Sequence, residues 1–285
     1  MITQKTKSLF LFAVYDANSV LDDALIFYIH ELSKFGDVIL CMDSDCAASE
    51  LAKITKYTIH SIGKRHGEYD FGSYKRAFEY AKKHNILKNY DFVYLVNDSV
   101  YGPLFDISDI LNKIQKSKTD ATGMVVSYHK THSYMESWFV CLTSKIFLSD
   151  WFDKFMSEIT KQPTKSQVTI KYEHGLSNLI QNNNCTWSGV FLFHGRFTYS
   201  NPKYLFKHGC PFVKKASFIR HYGEHGKQLK YILNHCDKKS HKPIVNAATR
   251  IYGKQYMDWL LTYNPFKIFI RKIKYAWYKI KGKIL

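Results

Sequence analysis

Asn97-Asp98-Ser99 is the part of this chain best suited to hold a phosphorylated ligand. It closes an apolar run, Phe92-Val93-Tyr94-Leu95-Val96, whose β-branched and aromatic residues predict a buried strand. Gly102-Pro103 stops the backbone just beyond. A strand that delivers a carboxylate to the C-terminal edge of an α/β sheet puts it where such sheets bind ligands. In nucleotide-sugar chemistry that carboxylate meets a diphosphate, with Mn²⁺ or Mg²⁺ between them. The competing reading is an Asx turn that only ends the strand.

Other acids fall at comparable places. Asp16 follows the apolar run Ser8–Tyr15, and Asp43 and Asp45 follow Asp37–Met42. At strand ends they could share a metal or a ribose, although each taken alone reads equally as a cap or turn residue. Gly67-Glu68-Tyr69-Asp70-Phe71-Gly72-Ser73-Tyr74-Lys75-Arg76 precedes a helix. There Asp70 could accept from a base or ribose, Gly72 would allow close backbone approach, and Lys75 or Arg76 could reach a diphosphate. The alternative is a capped helix with a solvated basic face. Glu173 opens a predicted helix at Tyr172–Gln181 and could take a proton from an acceptor hydroxyl, with Glu136 as a rival base. Here the alternative is a glutamate that favours the helix dipole. His194, His208, His221, His225 and His235 have no tight ligand spacing and read as structural or solvated.

The elements that must position these residues alternate. Strands are expected at Ser8–Tyr15, Asp37–Met42, Tyr57–Ile62, Tyr90–Val96 and Ala121–Tyr128. Helices are expected from a Ser19 cap through Leu32, over Tyr69–His84 and over Ile107–Ile114. Alternation of this kind predicts a mostly parallel sheet sandwiched by helices. Beyond Tyr128 the pattern loosens. A strand at Ser137–Thr143, a helix near Lys145–Ile159 and a short strand at Phe191–Phe193 are expected, Asn201–Phe212 reads as loop, and Arg220–Asn246 resists assignment.

Composition narrows the classes. The apolar fraction of 46% supports a packed core rather than disorder. Cysteines at 41, 46, 141, 185, 210 and 236 form no Cys-x-x-Cys pair, which argues against structural zinc. Neither a secretory leader nor a transmembrane helix is expected, so the thiols are expected to be reduced in a cytoplasm. The formal net charge of +17 favours an anionic partner. After Asp258 no acid follows, whereas Lys267, Arg271, Lys272, Lys274, Lys279, Lys281 and Lys283 do. Among them Phe266, Phe269, Ile270, Ile273, Trp277, Ile280 and Ile284 recur at helical steps. That pattern predicts a basic amphipathic helix lying on an anionic membrane, or else one packed on the protein's own core.

Taken together, Tyr69-Asp70-Phe71-Gly72-Ser73-Tyr74-Lys75, Leu95 to Leu104, Glu173-His174-Gly175-Leu176-Ser177, Asn201-Pro202 and Pro211-Phe212-Val213-Lys214-Lys215 resemble the rhamnan synthesis protein F family of bacterial glycosyltransferases. Asn97-Asp98-Ser99-Val100-Tyr101-Gly102-Pro103 is the specific part, and the likeness covers roughly residues 8 to 220. It implies a GT-A-like fold and transfer of a sugar, often L-rhamnose, from a nucleotide-sugar (dTDP-, UDP- or GDP-linked). The implied acceptor is a polyprenyl-diphosphate-linked or other lipid-linked glycan, in O antigen, lipopolysaccharide, capsule or cell-wall synthesis. It further implies Glu173 as the base of an inverting reaction and Asp98 at the donor diphosphate. GT-A enzymes usually carry Asp-x-Asp at that strand end, whereas this chain has one carboxylate; the resemblance implies a bound Mn²⁺ or Mg²⁺ there, with Lys75 or Arg76 as the alternative group to neutralise the diphosphate.

The expected organisation is residues 1–130 as the nucleotide-sugar half, 131–260 as the acceptor half of one catalytic domain, and 261–285 as a membrane-association helix. The expected location is the cytoplasmic face of the bacterial inner membrane, as a peripheral protein. The donor-site residues are then Asp16, Asp70, Lys75, Arg76, Asn97, Asp98 and Ser99. Two rival functions fit the same sequence: an inactive glycosyltransferase-like scaffold, and a basic nucleic-acid-binding protein. No nucleic-acid motif accompanies the charge, so no nucleic-acid partner is expected.

Overall fold

The computed structural model describes residues 6–128, 132–194, 197–220, 224–262 and 264–281. His221 and the residues from 282 onward, including Lys283 and Ile284, lie outside them, as do the side chains of Lys267 and Lys279.

The chain folds into two compact units. The first holds a mixed α/β sheet built from β1 (Ser8–Val14), β2 (Asp37–Met42), β3 (His60–Gly63), β4 (Phe92–Asn97), β6 (Ala121–Tyr128), β7 (Ser133–Met135), β8 (Phe139–Thr143) and β9 (Trp187–His194). The second contains the short strands β5 (Val100–Tyr101) and β10 (Val213–Lys214) and the helices after Phe197.

The sheet order is β3-β2-β1-β4-β8-β6-β7, with β9 also pairing to β6. β3, β2, β1 and β4 run parallel, and so do β6 and β9; β8 is antiparallel to β4 and β6, and β7 to β6. The sheet is therefore mostly parallel, as the alternation predicts. Every residue of β1 is buried, which accounts for its unbroken apolar run: a central parallel strand is covered on both faces.

The Tyr69–Lys83 helix packs against β1 and β2. Phe71, Tyr74, Ala77, Phe78 and Ala81 recur at three- and four-residue steps and are all buried. Burying Phe71 and Phe78 stabilises this contact by roughly 1.5–3 kcal/mol each. On the same unit, Ser149 Oγ accepts from the Phe152 N–H and starts the Asp150–Ser157 helix.

Local differences from the sequence reading have simple causes. Ser19 does not cap the first helix, because it sits at φ 56°, in the left-handed region. Asp22 caps it instead, accepting from the Leu25 N–H at 3.0 Å. Asp70 lies in the first turn of the Tyr69–Lys83 helix. Asn201–Phe212 is not all loop: Pro202 occupies the first turn of a Pro202–Lys207 helix, where its missing N–H costs nothing.

In the second unit β5 and β10 pair antiparallel, Val213 with Tyr101 and Lys214 with Val100. Leu104 N–H donates to the Pro211 carbonyl at 2.7 Å. Two of the segments that carry the family likeness are therefore joined here. Tyr101, Leu104, Phe218, Leu229, Ile232, Ile244 and Leu260 form this unit's core. Among the described residues, no helix is long and apolar enough to cross a membrane.

Candidate active site

β1 lies between β2 and β4, so the three strand ends form one edge of the first unit's sheet. Asp43 N–H donates to the Val14 carbonyl at 2.8 Å, and Asp98 N–H to the Ala13 carbonyl at 3.1 Å. Asp43 and Asp98 thus flank the end of β1, with backbones about two strand spacings, roughly 10 Å, apart.

The acids on the β1–β2 side hold backbone N–H groups of turns and loops. Asp16 Oδ1 accepts the N–H groups of Asn18 (2.9 Å) and Val20 (3.2 Å), which makes the Asx turn out of β1. Asp43 Oδ1 accepts those of His66 (2.7 Å) and Gly67 (2.8 Å), and Asp45 Oδ1 accepts from Arg65 N–H (3.2 Å). Together Asp43 and Asp45 tie the 64–67 loop to the end of β2.

His66 is enclosed in that loop. Its Nδ1 accepts from Glu68 N–H at 3.1 Å, and its Nε2 lies 3.0 Å from Ser73 Oγ. An acceptor at Nδ1 requires the neutral ring, with the proton on Nε2. Burial, followed by the charge of Arg76, pushes the His66 pKa below its ordinary value, in agreement.

The two basic residues expected at a diphosphate are engaged in structure. Lys75 Nζ donates to the carbonyls of Ser157 (2.8 Å) and Ile159 (3.0 Å), at the end of the Asp150–Ser157 helix. Arg76 Nη1 pairs with Glu68 at 2.6 Å and donates to the Gly72 carbonyl at 2.9 Å. Gly72 is explained by the same packing: a Cβ there would lie 2.3 Å from Glu68 Cβ and 2.9 Å from His66 Cε1. The close approach it permits is therefore that of its own loop.

On the β4 side, carboxylates from distant segments converge. Asn97, buried at the strand end, donates through Nδ2 to Asp70 Oδ2 at 3.1 Å. Its N–H donates to the Trp138 carbonyl at 3.1 Å. The 136–138 segment between β7 and β8 thus borders the strand end. Within it, Trp138 Nε1 donates to Glu136 Oε2 at 2.8 Å, Tyr74 Oη donates to the Ser137 carbonyl at 2.9 Å, and Ser137 N–H donates to Glu173 Oε1 at 2.5 Å. Asp70, Asn97, Glu136 and Glu173 are joined by this chain of bonds, and Asp98, half-buried, is next to Asn97.

Glu173 is presented by a wide π turn, Thr169–His174, rather than by the regular helix start expected at Tyr172. The extra residue in such a turn re-aims side chains, and turns of this kind recur at functional sites. The neighbouring His174 stacks on Tyr134 with ring centroids 3.9 Å apart. Burial, followed by the Glu173 charge, raises the Tyr134 pKa, so Tyr134 remains a neutral phenol.

Ser137 and Trp138 escaped the sequence reading, which singled out only Glu136 in that segment. A Trp two residues after a Glu was the available signal. Ser99, expected at the donor, belongs to the second unit, where its Oγ lies 3.2 Å from Nζ of the buried Lys214. In the sequence Lys214 stands out only as part of the Pro211-Phe212-Val213-Lys214-Lys215 motif.

The arrangement offers fixed carboxylates and oxygen donors. All six cysteines are free, and burial pushes Cys41 and Cys141 up to about 12. Among the described residues, no three His, Cys, Asp or Glu side chains cluster to hold a metal. The oxygen donors at the end of β4 suit a hard cation of the kind that takes one or two carboxylates and fills its shell with substrate phosphates.

Among curated proteins, the chain is similar to the uncharacterized protein y4gN of Sinorhizobium fredii (strain NGR234), 23% identical over 172 residues, which cover 59% of this chain and 44% of y4gN. Among solved structures it is similar to the mannosyltransferase Ktr4p of S. cerevisiae in complex with GDP (TM-score 0.34, 11% identity, 54% of this chain and 60% of that one). It is also similar to a putative nucleotide-diphospho-sugar transferase of Desulfovibrio desulfuricans (TM-score 0.36, 17% identity, 81% of this chain and 99% of that one). The chain thus spans less than half the length of y4gN and three-fifths of Ktr4p. The sequence pattern of one family runs from β2 into the last described helix, over residues 38–273, and by that match the chain belongs to the rhamnan synthesis protein F family.

Proposed function

We propose that this chain is a GT-A-like, inverting glycosyltransferase that moves L-rhamnose, or another deoxyhexose or hexose, from a nucleotide-sugar to a lipid-linked glycan. The setting is synthesis of a bacterial surface polysaccharide such as O antigen, capsule or cell-wall glycan. The observation that carries this reading is the convergence of Asp70, Asn97, Glu136 and Glu173 beside Asp98. They meet at the C-terminal edge of a parallel sheet in a chain of this family.

In this reading residues 1–130 bind the donor and residues 131–260 the acceptor, within one catalytic domain. The donor diphosphate lies at Asp98, with Asp70 and Asn97 beside it. A Mg²⁺ or Mn²⁺ ion arriving with the diphosphate would be held by the Asp98 carboxylate and would neutralise the leaving group. Glu173 takes the proton of the acceptor hydroxyl. That oxygen attacks the anomeric carbon as the bond to the nucleoside diphosphate breaks, and a single displacement inverts the configuration. Ser137 N–H fixes one carboxylate oxygen of Glu173, so the base is held before the acceptor arrives. Asp16, Lys75 and Arg76 have structural duties and are left out of the donor contacts. The acceptor's lipid places the protein at the cytoplasmic face of the inner membrane, as a peripheral protein.

The test is release of nucleoside diphosphate from dTDP-, UDP- and GDP-sugars in the presence of a lipid-linked glycan acceptor. Release from one nucleotide class that depends on acceptor is the expected result. No release from any class, with the protein folded, would overturn the reading.

A further inference from the structure

The Pro265–Ile280 helix is mounted with its apolar face outward. A helix that docks on its own protein normally does so through its apolar stripe. Here the docked side carries a charged residue. Arg271 is only 3% exposed, and it donates to the carbonyls of Leu260 (2.7 Å) and Thr262 (3.1 Å). Its guanidinium also lies over the Trp259 ring, 4.9 Å from the centroid. Leu260 ends the Lys254–Leu260 helix, so Arg271 satisfies a terminal carbonyl, which an arginine does well at a helix C-terminus. Gly226 makes room for the contact, since a Cβ there would lie 2.6 Å from Arg271 Nη1 and 2.1 Å from the Leu260 oxygen.

With Arg271 fixed inward, the apolar residues point away. Phe266 is 69% exposed, Phe269 60%, Ile273 52%, Trp277 47% and Ile280 85%. At about 100° per residue these five fall within an arc of roughly 80°, on the side away from Arg271. Lys272 borders the arc on one side, and Lys274 and Lys281 on the other; all three are exposed. Lys281 Nζ lies 3.9 Å from the centre of the Trp277 ring, a reach that a lysine at an apolar–polar boundary can turn outward.

We propose that this outward face is a membrane-docking surface: the five apolar side chains enter the headgroup–acyl boundary of an anionic bilayer while the flanking lysines meet lipid phosphates. Charge selects this occupant. The chain carries a net +17 and has no acidic residue after Asp258, so a second copy seated on the same face would oppose lysine to lysine. An anionic lipid surface supplies what that edge lacks, and an apolar stripe with Trp between cationic flanks is the pattern of interfacial helices. The surface assigns a place to the peripheral location proposed above and is independent of the transfer chemistry.

The test is co-sedimentation of the full chain with vesicles of equal parts phosphatidylglycerol and phosphatidylcholine, and with phosphatidylcholine alone. Two triple variants are compared, F269S/I273S/W277S and K272Q/K274Q/K281Q. Nucleotide-sugar binding and the melting temperature are followed in parallel, so that loss of docking is read separately from loss of the donor site or of the fold. Wild type should bind the anionic vesicles, more weakly as salt rises. The apolar variant should lose at least tenfold in affinity. The lysine variant should lose on the order of a hundredfold, at about fivefold per lysine. The proposal is overturned if wild type stays in the supernatant, if the apolar variant sediments as wild type does, or if wild type is a dimer that this variant converts to monomer.

Discussion

The acids at the ends of β1 and β2 and the acids around the end of β4 look alike in sequence and act differently in the fold. Asp16, Asp43 and Asp45 each accept backbone N–H groups of a turn or loop, so their carboxylates shape chain. Asp70 accepts instead from the Asn97 side chain, Glu136 from the Trp138 indole, and Glu173 from the N–H of Ser137, between β7 and β8 and 36 residues away. The Asp70 and Glu173 bonds draw separate segments to the end of β4, while the Glu136 bond holds the 136–138 segment itself. A carboxylate at a strand end is thus a position, and its hydrogen-bond partners decide what it builds; in the proposed function the acids around β4 face a ligand.

That contrast can be broken or sharpened by substitution. The largest effect is expected from Glu173→Gln, which should lower turnover by about 10²–10⁴-fold with the melting temperature little changed. Asp98→Asn should follow, with a loss of about 10²–10³-fold that appears in donor binding as well as in rate. Wild-type turnover in either variant would remove that residue from the mechanism. Asp43→Ala should do the reverse. It strands two N–H donors at a carboxylate that is 8% exposed, so unfolding by urea should register a loss of about 1–3 kcal/mol. A stable Asp43 variant that cannot bind donor would erase the distinction between the two regions.

A smaller, pH-dependent effect is expected at His66. Its folded pKa is lowered by burial and then by Arg76, so the folded state binds fewer protons there than the unfolded chain. Stability from this group is complete above the ordinary histidine range and is lost as pH falls from about 6.5 toward the lowered value. His66→Gln should therefore flatten the fall in melting temperature on acidification, and an unchanged slope would show that His66 does not carry it. The smallest effect is expected from Asp16→Ala, about 1 kcal/mol from loss of the Asx turn, read by the same unfolding assay with donor affinity retained.

Much of the sheet was legible before the structure. β1, β2, β4 and β6 are long apolar runs bounded by polar turns, and a buried parallel strand leaves that mark. β5, β7 and β10 are two or three residues long, too short to display any period. The Gly226–His235 and Lys238–Tyr252 helices were hidden for another reason. Leu229, Ile232 and Leu233, then Ile244, Ala247 and Ala248, do recur at helical spacing, but charge and an interior Pro243 mask the pattern.

At the site, Asp70, Asn97, Glu136 and Glu173 were visible as polar residues at element ends. Their linkage was not, because Ser137 and Trp138 act largely through backbone groups that any residue carries. The engagement of Lys75 was equally invisible, since the carbonyls it meets lie more than 80 residues along the chain. The amphipathic pattern at 265–280 identified a face, and only the burial of Arg271 fixed which way that face points.

The most direct test of the central claim is the thermal shift of wild type and Asp98→Asn against dTDP-, UDP- and GDP-sugars, each with and without Mn²⁺ or Mg²⁺. One nucleotide class should stabilise wild type, and Asp98→Asn, melting as wild type does without ligand, should lose most of that shift. Equal stabilisation of both proteins, or none of either by any nucleotide-sugar, would contradict that claim.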